Sequence, residues 1–531
     1  MKILTARQMA EVDRLTSQSA GIPSLLLMEN AAFHLYLALL DYFDRLERTR
    51  ILIVCGKGNN GGDGLALARQ LLQRGVSPEV ALLAERNQIR GDAAVNLRIL
   101  ESWPHPILEI PSAEAWDEAA PNLDRLDVIV DAILGTGITQ PLRGLYADAV
   151  AAINETDAFV LSVDIPSGMP ADSVKSPPLA IRADATVTFT APKVAHALNS
   201  SQECIGDLYV APIGTPPSLL DREEFFLHLL TPEDIRRETF IRPVSSHKGF
   251  YGDVALIAGS LGKSGAAALC GSAALRSGSG LVTVLTPRSV QLTVASAQPE
   301  LMTEGLGETE TGSLSDSAAA LALEKLQGRD AAGLGPGLSL HPETVRLAHN
   351  LVAESPAPLV IDADGLNAFE GNLDRLSNRH GLPLILTPHP GEFSRLTAKP
   401  VADLLEDQVE LTRSFAVRRH LWIVLKTFRP LIAAPDGRLF VSAVGNPGMA
   451  TAGMGDVLTG VLTSMVGRAR AAGLNDVDDV TQAVCAAVFL HAIAGDVAAE
   501  SVGQESLTAG DVIDCLPEAW DILLETDETP L

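Results

Sequence analysis

The sequence predicts an α/β protein built as two three-layer αβα domains, residues 1–231 and 232–531. Three observations carry that expectation. Each half holds an apolar run that meets a glycine-rich turn and then a helix-forming stretch. In both halves further apolar runs end in Asp, Ser or Gly, as parallel strands do where their carboxyl ends share a crevice. Finally, 531 residues exceed what a single core usually supports.

Composition narrows the class. A hydrophobic fraction of 47% and a charged fraction of 20% suit a folded soluble protein. A formal net charge of -26 argues against nucleic acid or an anionic membrane as the main partner, although glycine loops can still bind phosphate locally. The five cysteines lack CxxC or zinc-type spacing and read as reduced core residues. The N-terminus lacks the apolar block of a signal peptide, and no stretch reads as a membrane span of ~20 apolar residues. A cytoplasmic protein, assembled as a homo-oligomer, is therefore expected.

In the first half, residues 5–50 read as helices broken at Gly21-Ile22-Pro23. An apolar run from Ile51 to Cys55 then meets the loop Gly56-Lys57-Gly58-Asn59-Asn60-Gly61-Gly62-Asp63-Gly64 and a helix. This loop is neither a dinucleotide fingerprint nor a Walker loop, but it offers close backbone approach and two amide side chains. Two more strands end at Asp131, followed by Gly135-Thr136-Gly137, and at Asp164, followed by Ser167 and Gly168. Taken singly, each aspartate reads as a cap or turn residue. Their shared place at strand ends predicts one oxygen-rich pocket holding Asn60, Asp131, Asp164 and Ser167, suited to a main-group cation, with a spare aspartate for acid or base work. Residues 183–195 and 206–214 complete the sheet.

NNGGDG from Asn59, DAILGTG from Asp131 and DIPSG from Asp164, in that order, resemble the epimerase domain of the NAD(P)H-hydrate repair enzymes. The resemblance implies that Asn60, Asp131 and Ser167 hold a potassium ion. It also implies that Asn59, Asn60, Gly61, Gly62, Asp63, Gly135, Thr136, Gly137, Ile138, Thr139, Gln140, Pro141 and Asp164 meet the hydrated nucleotide, NADHX or NADPHX.

Residues 215–245 are rich in proline and charge, which places the boundary near residue 232. Beyond it, Val254–Ala258, a glycine loop over Gly259–Gly265, a small-residue helix and Leu281–Leu285 read as a βαβ unit. Further strand ends follow at 330–339, 359–369 and 384–396, the last placing His389 between two prolines, three residues before Glu392. A strand, a loop at Lys426–Pro430 and a hairpin around Asp436 lead to GNPGMATAGMGDVLTG, Gly445–Gly460. Five of its sixteen residues are glycine and its one ionisable group is Asp456. An isolated Gly-x-Gly-Asp reads as a capped turn. Here the glycines build an anion hole at a helix start, and a carboxylate beside it suits a general base in phosphoryl transfer.

The order of strands, hairpin and glycine hole resembles ribokinase-like phosphotransferases, and seven segments from HKGFYGDV to GNPGMATAGMGD are similar to their hydrate dehydratase branch. That resemblance implies an ADP-dependent dehydratase acting on NADHX and NADPHX, with magnesium accompanying ADP. Ala266, Gly337, His389 and Asp456 would meet the hydrate; Lys426, Thr427, Phe428, Arg429, Pro430 and Gly455 would meet the nucleotide. Asp164 is expected as the acid or base of epimerisation and Asp456 as the base of dehydration. Such enzymes usually carry Lys-Gly-x-x-Thr where this chain has Lys426-Thr427-Phe428-Arg429-Pro430, a departure bearing on nucleotide affinity and choice. A kinase of a small alcohol and a non-catalytic nucleotide sensor remain as alternatives.

Overall fold

The computed structural model describes residues 1–235, 240–376 and 381–524. It forms two compact units, one of Lys2–Phe225 and the other of Met1 with Phe226–Leu531.

The first unit holds β1 (Ile51–Cys55), β2 (Glu79–Leu82), β3 (Leu108–Glu109), β4 (Val128–Ala132), β5 (Phe159–Val163), β6 (Ala185–Phe189) and β7 (Asp207–Ala211). They form one parallel sheet in the order β3-β2-β1-β4-β5-β6-β7. Helices cover both faces, so β1, β4 and β6 are buried along their whole length. That is why they read as unbroken apolar runs rather than alternating ones. The strand order reverses between β1 and β4, which opens a crevice at their carboxyl ends.

The glycine loop expected over Gly56–Gly64 is shorter than its composition suggests, because the helix Asn59–Gln73 begins inside it. Its glycines serve packing. A β-carbon on Gly61 would stand 1.9 Å from the Gly56 carbonyl oxygen, and one on Gly64 would stand 2.6 Å from Ala132 Cβ. Neither glycine has a positive φ.

The second unit holds β8 (Leu227–Leu230), β9 (Asp253–Ile257), β10 (Leu281–Pro287), β11 (Met302–Leu306), β12 (Ala331–Leu334), β13 (Leu359–Ile361), β14 (Leu384–Leu386), β15 (Trp422–Leu425), β16 (Leu431–Ala433) and β17 (Leu439–Ser442). Their order is β11-β10-β9-β12-β13-β14-β15-β16-β17-β8, parallel except where β16 pairs with β15 and β17. The strand order reverses again between β9 and β12. The helices Ser264–Arg276 and Met454–Ala471 pack closely, since a β-carbon on Gly460 would meet the Cys270 carbonyl oxygen at 2.2 Å.

Two details depart from the sequence expectations. The units divide at Phe225/Phe226 rather than at 231/232, because Leu227–Leu230 pairs in parallel with β17 as an edge strand. The helix Val477–Val502 is long and apolar enough to cross a membrane by length and composition, contrary to the reading that no stretch is; 83% of its most apolar window is buried in the protein. Its apolar length is the core of the second unit.

Candidate functional site

The carboxyl ends of β1, β4 and β5 border a cavity of about 950 Å³ in the first unit. Asn59, Asn60, Asp63, residues 135–141 and Asp164 line it as the sequence predicted, whereas Gly61 and Gly62 pack behind it. Asp131 and Ser167 lie beneath its floor, both fully buried. Oδ1 of Asp131 accepts from Ser167 Oγ at 2.5 Å and from the Ile133 amide; Oδ2 accepts from Ser162 Oγ and the Ser167 amide. Burial pushes this carboxyl up, against the four donors that favour its charge.

The Leu134 backbone joins the group, its carbonyl accepting from Asn60 Nδ2 at 3.2 Å and its amide donating to Ser167 Oγ at 2.8 Å. A β-carbon on Gly135 would come within 3.3 Å of Asn60 Oδ1, so the bare residue keeps that oxygen open. Asn60, Asp131 and Ser167 are thus brought together, with oxygen the only hard donor in the set.

Asp164 occupies the left-handed region at φ 64°, a strained setting for a non-glycine residue at the cavity wall. Its Oδ1 accepts from Lys193 Nζ at 2.5 Å and from Thr188 Oγ1 at 3.1 Å. Burial raises the carboxyl, but the Lys193 ammonium and its hydrogen bond outweigh that and hold it below the ordinary range. Sequence reasoning missed Lys193, a single charge inside an apolar stretch that ends up 1% exposed. It also missed Asp13, from the helix Ala6–Gln18, which lines the same cavity. The signal was present for Lys193, since a lysine among APKVAHAL has no solvent face to occupy. For Asp13 the amphipathic helix offered none.

In the second unit Asp456 sits in the first turn of the helix Met454–Ala471, whose start at Gly453 has no side-chain cap. Its N-terminal amides therefore remain available to an anion. Burial, reinforced by Asp362, raises the Asp456 carboxyl to about 6, with Lys426 pulling the other way. Asp362 accepts from Lys426 Nζ at 2.5 Å and from Thr459 Oγ1 at 3.0 Å. A β-carbon on Gly455 would stand 3.1 Å from Asp362 Oδ2 and 3.2 Å from Lys426 Nζ. Lys426 and Gly455, assigned together to one ligand, thus meet at this ion pair.

His389 caps the helix Pro390–Thr397, its Nδ1 accepting from the Gly391 and Glu392 amides, and stays half exposed. Glu392 bridges the groups by accepting from the His389 amide at 2.9 Å and lying 3.9 Å from Lys426. Gly337 has a positive φ and approaches Ala266, whose Cβ would lie 3.1 Å from a side chain placed there. In the loop at Lys426–Pro430 Thr427 Oγ1 donates to the Arg429 carbonyl at 2.6 Å, and Phe428 is 55% exposed. Asp362 and Glu392 were missed as site residues, although both belong to the strand-end segments that flagged their neighbours.

A family model described as NAD(P)H-hydrate dehydratase matches residues 254–518, and one described as YjeF-related protein N-terminus matches residues 24–195. Over 530 residues the chain is 41% identical to the bifunctional NAD(P)H-hydrate repair enzyme of Moorella thermoacetica, covering 100% of this chain and 98% of that one. The chain belongs to the family of bifunctional NAD(P)H-hydrate repair enzymes. The repair enzyme of Thermofilum pendens is 36% identical over 100% of this chain and 98% of its own, and that of Escherichia coli 34% over 88% and 86%. Among solved structures, the ADP/ATP-dependent NAD(P)H-hydrate dehydratase of Bacillus subtilis, co-crystallised with ATP and magnesium, matches with a TM-score of 0.48. It is 30% identical, over 56% of this chain and 98% of that chain. As a family member, this repair-enzyme chain carries one candidate site in each of its two units.

Proposed function

We propose that the first domain interconverts the two epimers of hydrated NADH and NADPH, and that the second dehydrates the S epimer with ADP, giving NAD(P)H, AMP and phosphate. The observation that carries this reading is the placement of Asp456 in the uncapped first turn beside Gly455 and the Lys426–Asp362 pair. In the second domain Asp456 takes the proton of the ring hydroxyl as that oxygen attacks the terminal phosphorus of ADP and AMP leaves. The amides of residues 452–455 stabilise the charge on the transferring group. The phosphate so attached is a far better leaving group than hydroxide; the ring nitrogen's electron pair expels it, and loss of a proton from the adjacent ring carbon then completes the double bond of NAD(P)H. Magnesium, entering with the nucleotide, would supply neutralising charge to the phosphate oxygens. Asp362 and Lys426 orient the nucleotide side of this site.

In the first domain Asp164 exchanges protons with the hydroxyl-bearing carbon's substituents. Asn60, Asp131 and Ser167 fit a potassium ion by their all-oxygen donor set and would hold it; when bound it would supply positive charge for the substrate's phosphate or the loops around it. The same reading places the enzyme in the cytoplasm, supported by its five free cysteines, four of them buried. It makes the enzyme a homo-oligomer, supported by Leu26, Phe33, Leu37 and Leu40 exposed along the helix Ser24–Tyr42; sedimentation tests that point.

The test is to incubate the protein with mixed NADHX epimers, magnesium and ADP or ATP, following reduced-nicotinamide absorbance. Both epimers should be consumed with release of AMP when ADP is supplied. A stable phosphorylated product without regenerated NADH would overturn the dehydratase in favour of a small-alcohol kinase.

A further inference from the structure

The epimerase cavity holds more ionisable chemistry than Asp164 alone. Asp13, Asp63, Asp164 and Lys193 all line it, together with Asp92, Arg14, Lys57 and Arg143; among these charges Lys193 is the buried ammonium. Lys193 commits its hydrogen bonds to Asp164, Thr188 and the Phe189 carbonyl. Asp164 is thereby the carboxyl that keeps its charge. Asp13 is placed differently: its Oδ1 is sealed from solvent and has no hydrogen-bond partner among the described residues. A buried carboxylate oxygen without a donor disfavours the ionised form.

We propose that Asp13 is a second catalytic residue of the epimerase, the proton donor that works opposite the base Asp164. This rests on the epimerase reading of the first domain. Epimerisation of a ring carbon bearing both a hydroxyl and a nitrogen moves two protons. As the hydroxyl proton passes to the Asp164 carboxylate, the C–O bond becomes a carbonyl and the C–N bond breaks. Its electron pair stays on nitrogen, which takes the proton of Asp13. After rotation of the aldehyde, the nitrogen returns its proton to Asp13 and attacks the other carbonyl face. The oxygen then recovers the proton held by Asp164. No oxidant or further reactant is consumed, and both aspartates end as they began.

The charge states agree with those roles. Burial, with Asp164 adding to it, raises the Asp13 carboxyl to about 6 against the pull of Lys193. Asp63 is held well above the usual range by burial and by Asp164 and Asp13.

The test is the R epimer of NADHX supplied to Asp13→Asn, Asp13→Glu and the wild type, with ADP and magnesium present so that the S epimer formed is read as NADH. In Asp13→Asn, kcat for epimerisation should fall by about 100-fold or more with KM changed less than threefold. Direct binding of the R epimer without nucleotide should be retained, Asp13→Glu should recover part of the rate, and added S epimer should be dehydrated at the wild-type rate. Epimerisation by Asp13→Asn within threefold of wild type would overturn the assignment, as would a loss explained entirely by lost binding of the R epimer. Failure of the wild type itself to epimerise would instead overturn the epimerase reading, so the two failures are told apart.

Discussion

Lys193 Nζ lies 2.5 Å from Asp164 Oδ1, at the end of a lysine that is only 1% exposed. Burial alone would favour a neutral Asp164; this one contact makes it an anion. Lys193→Met removes the counter-charge and leaves the burial. Asp164 then titrates upward, and the acid limb of the epimerisation pH–rate profile should move to higher pH. Because the native Asp164 carboxyl is held below its unfolded value, its stabilisation is present above the unfolded pKa and lost as pH falls through the folded one. The variant should lose that component, with a cost of ~3 kcal/mol in the first domain by the usual penalty for breaking a buried pair. Thermal melts at pH 7 and at a pH below the ordinary aspartate range should show the difference shrinking at the lower pH.

Asp456→Asn should abolish dehydration, by on the order of 10²-fold to 10⁴-fold, and keep nucleotide binding. The wild-type dehydration rate should fall as pH drops through about 6, since a base must be ionised. The sign for stability is opposite to that of Asp164. A carboxyl raised in the folded state contributes stability below its unfolded pKa that is lost as pH rises through the folded value. Asp456→Asn should therefore raise the melting temperature at pH 8 while leaving it nearly unchanged at pH 4. A lower melting temperature at pH 8 would contradict the burial argument.

Gly455→Ala tests the other side of that site. The new methyl would press on Asp362 Oδ2 and Lys426 Nζ at 3.1 and 3.2 Å. Both atoms are ends of side chains that can yield by a few tenths of an ångström, so the fold should survive. The displaced ion pair should raise KM for ADP on the order of tenfold, readable from initial rates, because small misplacements in such sites are expensive.

Gly61→Ala should be far harsher. Its methyl meets the Gly56 carbonyl oxygen at 1.9 Å, backbone against backbone. Epimerisation should vanish, and limited proteolysis should degrade the first 225 residues. Near-normal epimerisation would show that the close approach of helix to strand is dispensable.

The strands of both sheets were legible because burial on two faces writes itself as apolar runs, from Ile51–Cys55 to Trp422–Leu425. The site residues at their ends followed, since topology delivers strand ends to a crevice. Three things were not legible. Asn59–Gly64 joined a helix because the glycines there are demanded by steric contact rather than by φ, which composition does not distinguish. Asp13 comes from a helix remote from the motifs, and only packing brings its charge into the cavity of Asp164; Lys193 was legible as a charge with no solvent face, but not as the partner of Asp164. Leu227–Leu230 lay in a proline-rich, charged stretch, where four residues are too few to declare a strand until a partner edge is known.

That last strand has a practical consequence. β17 is buried from Leu439 to Ser442, and β8 supplies its outer neighbour. A dehydratase half begun at residue 232 would leave a bare, apolar sheet margin ready to recruit other chains, whereas one begun at Phe226 keeps its own border strand. The two fragments differ by six residues and should part company in aggregation.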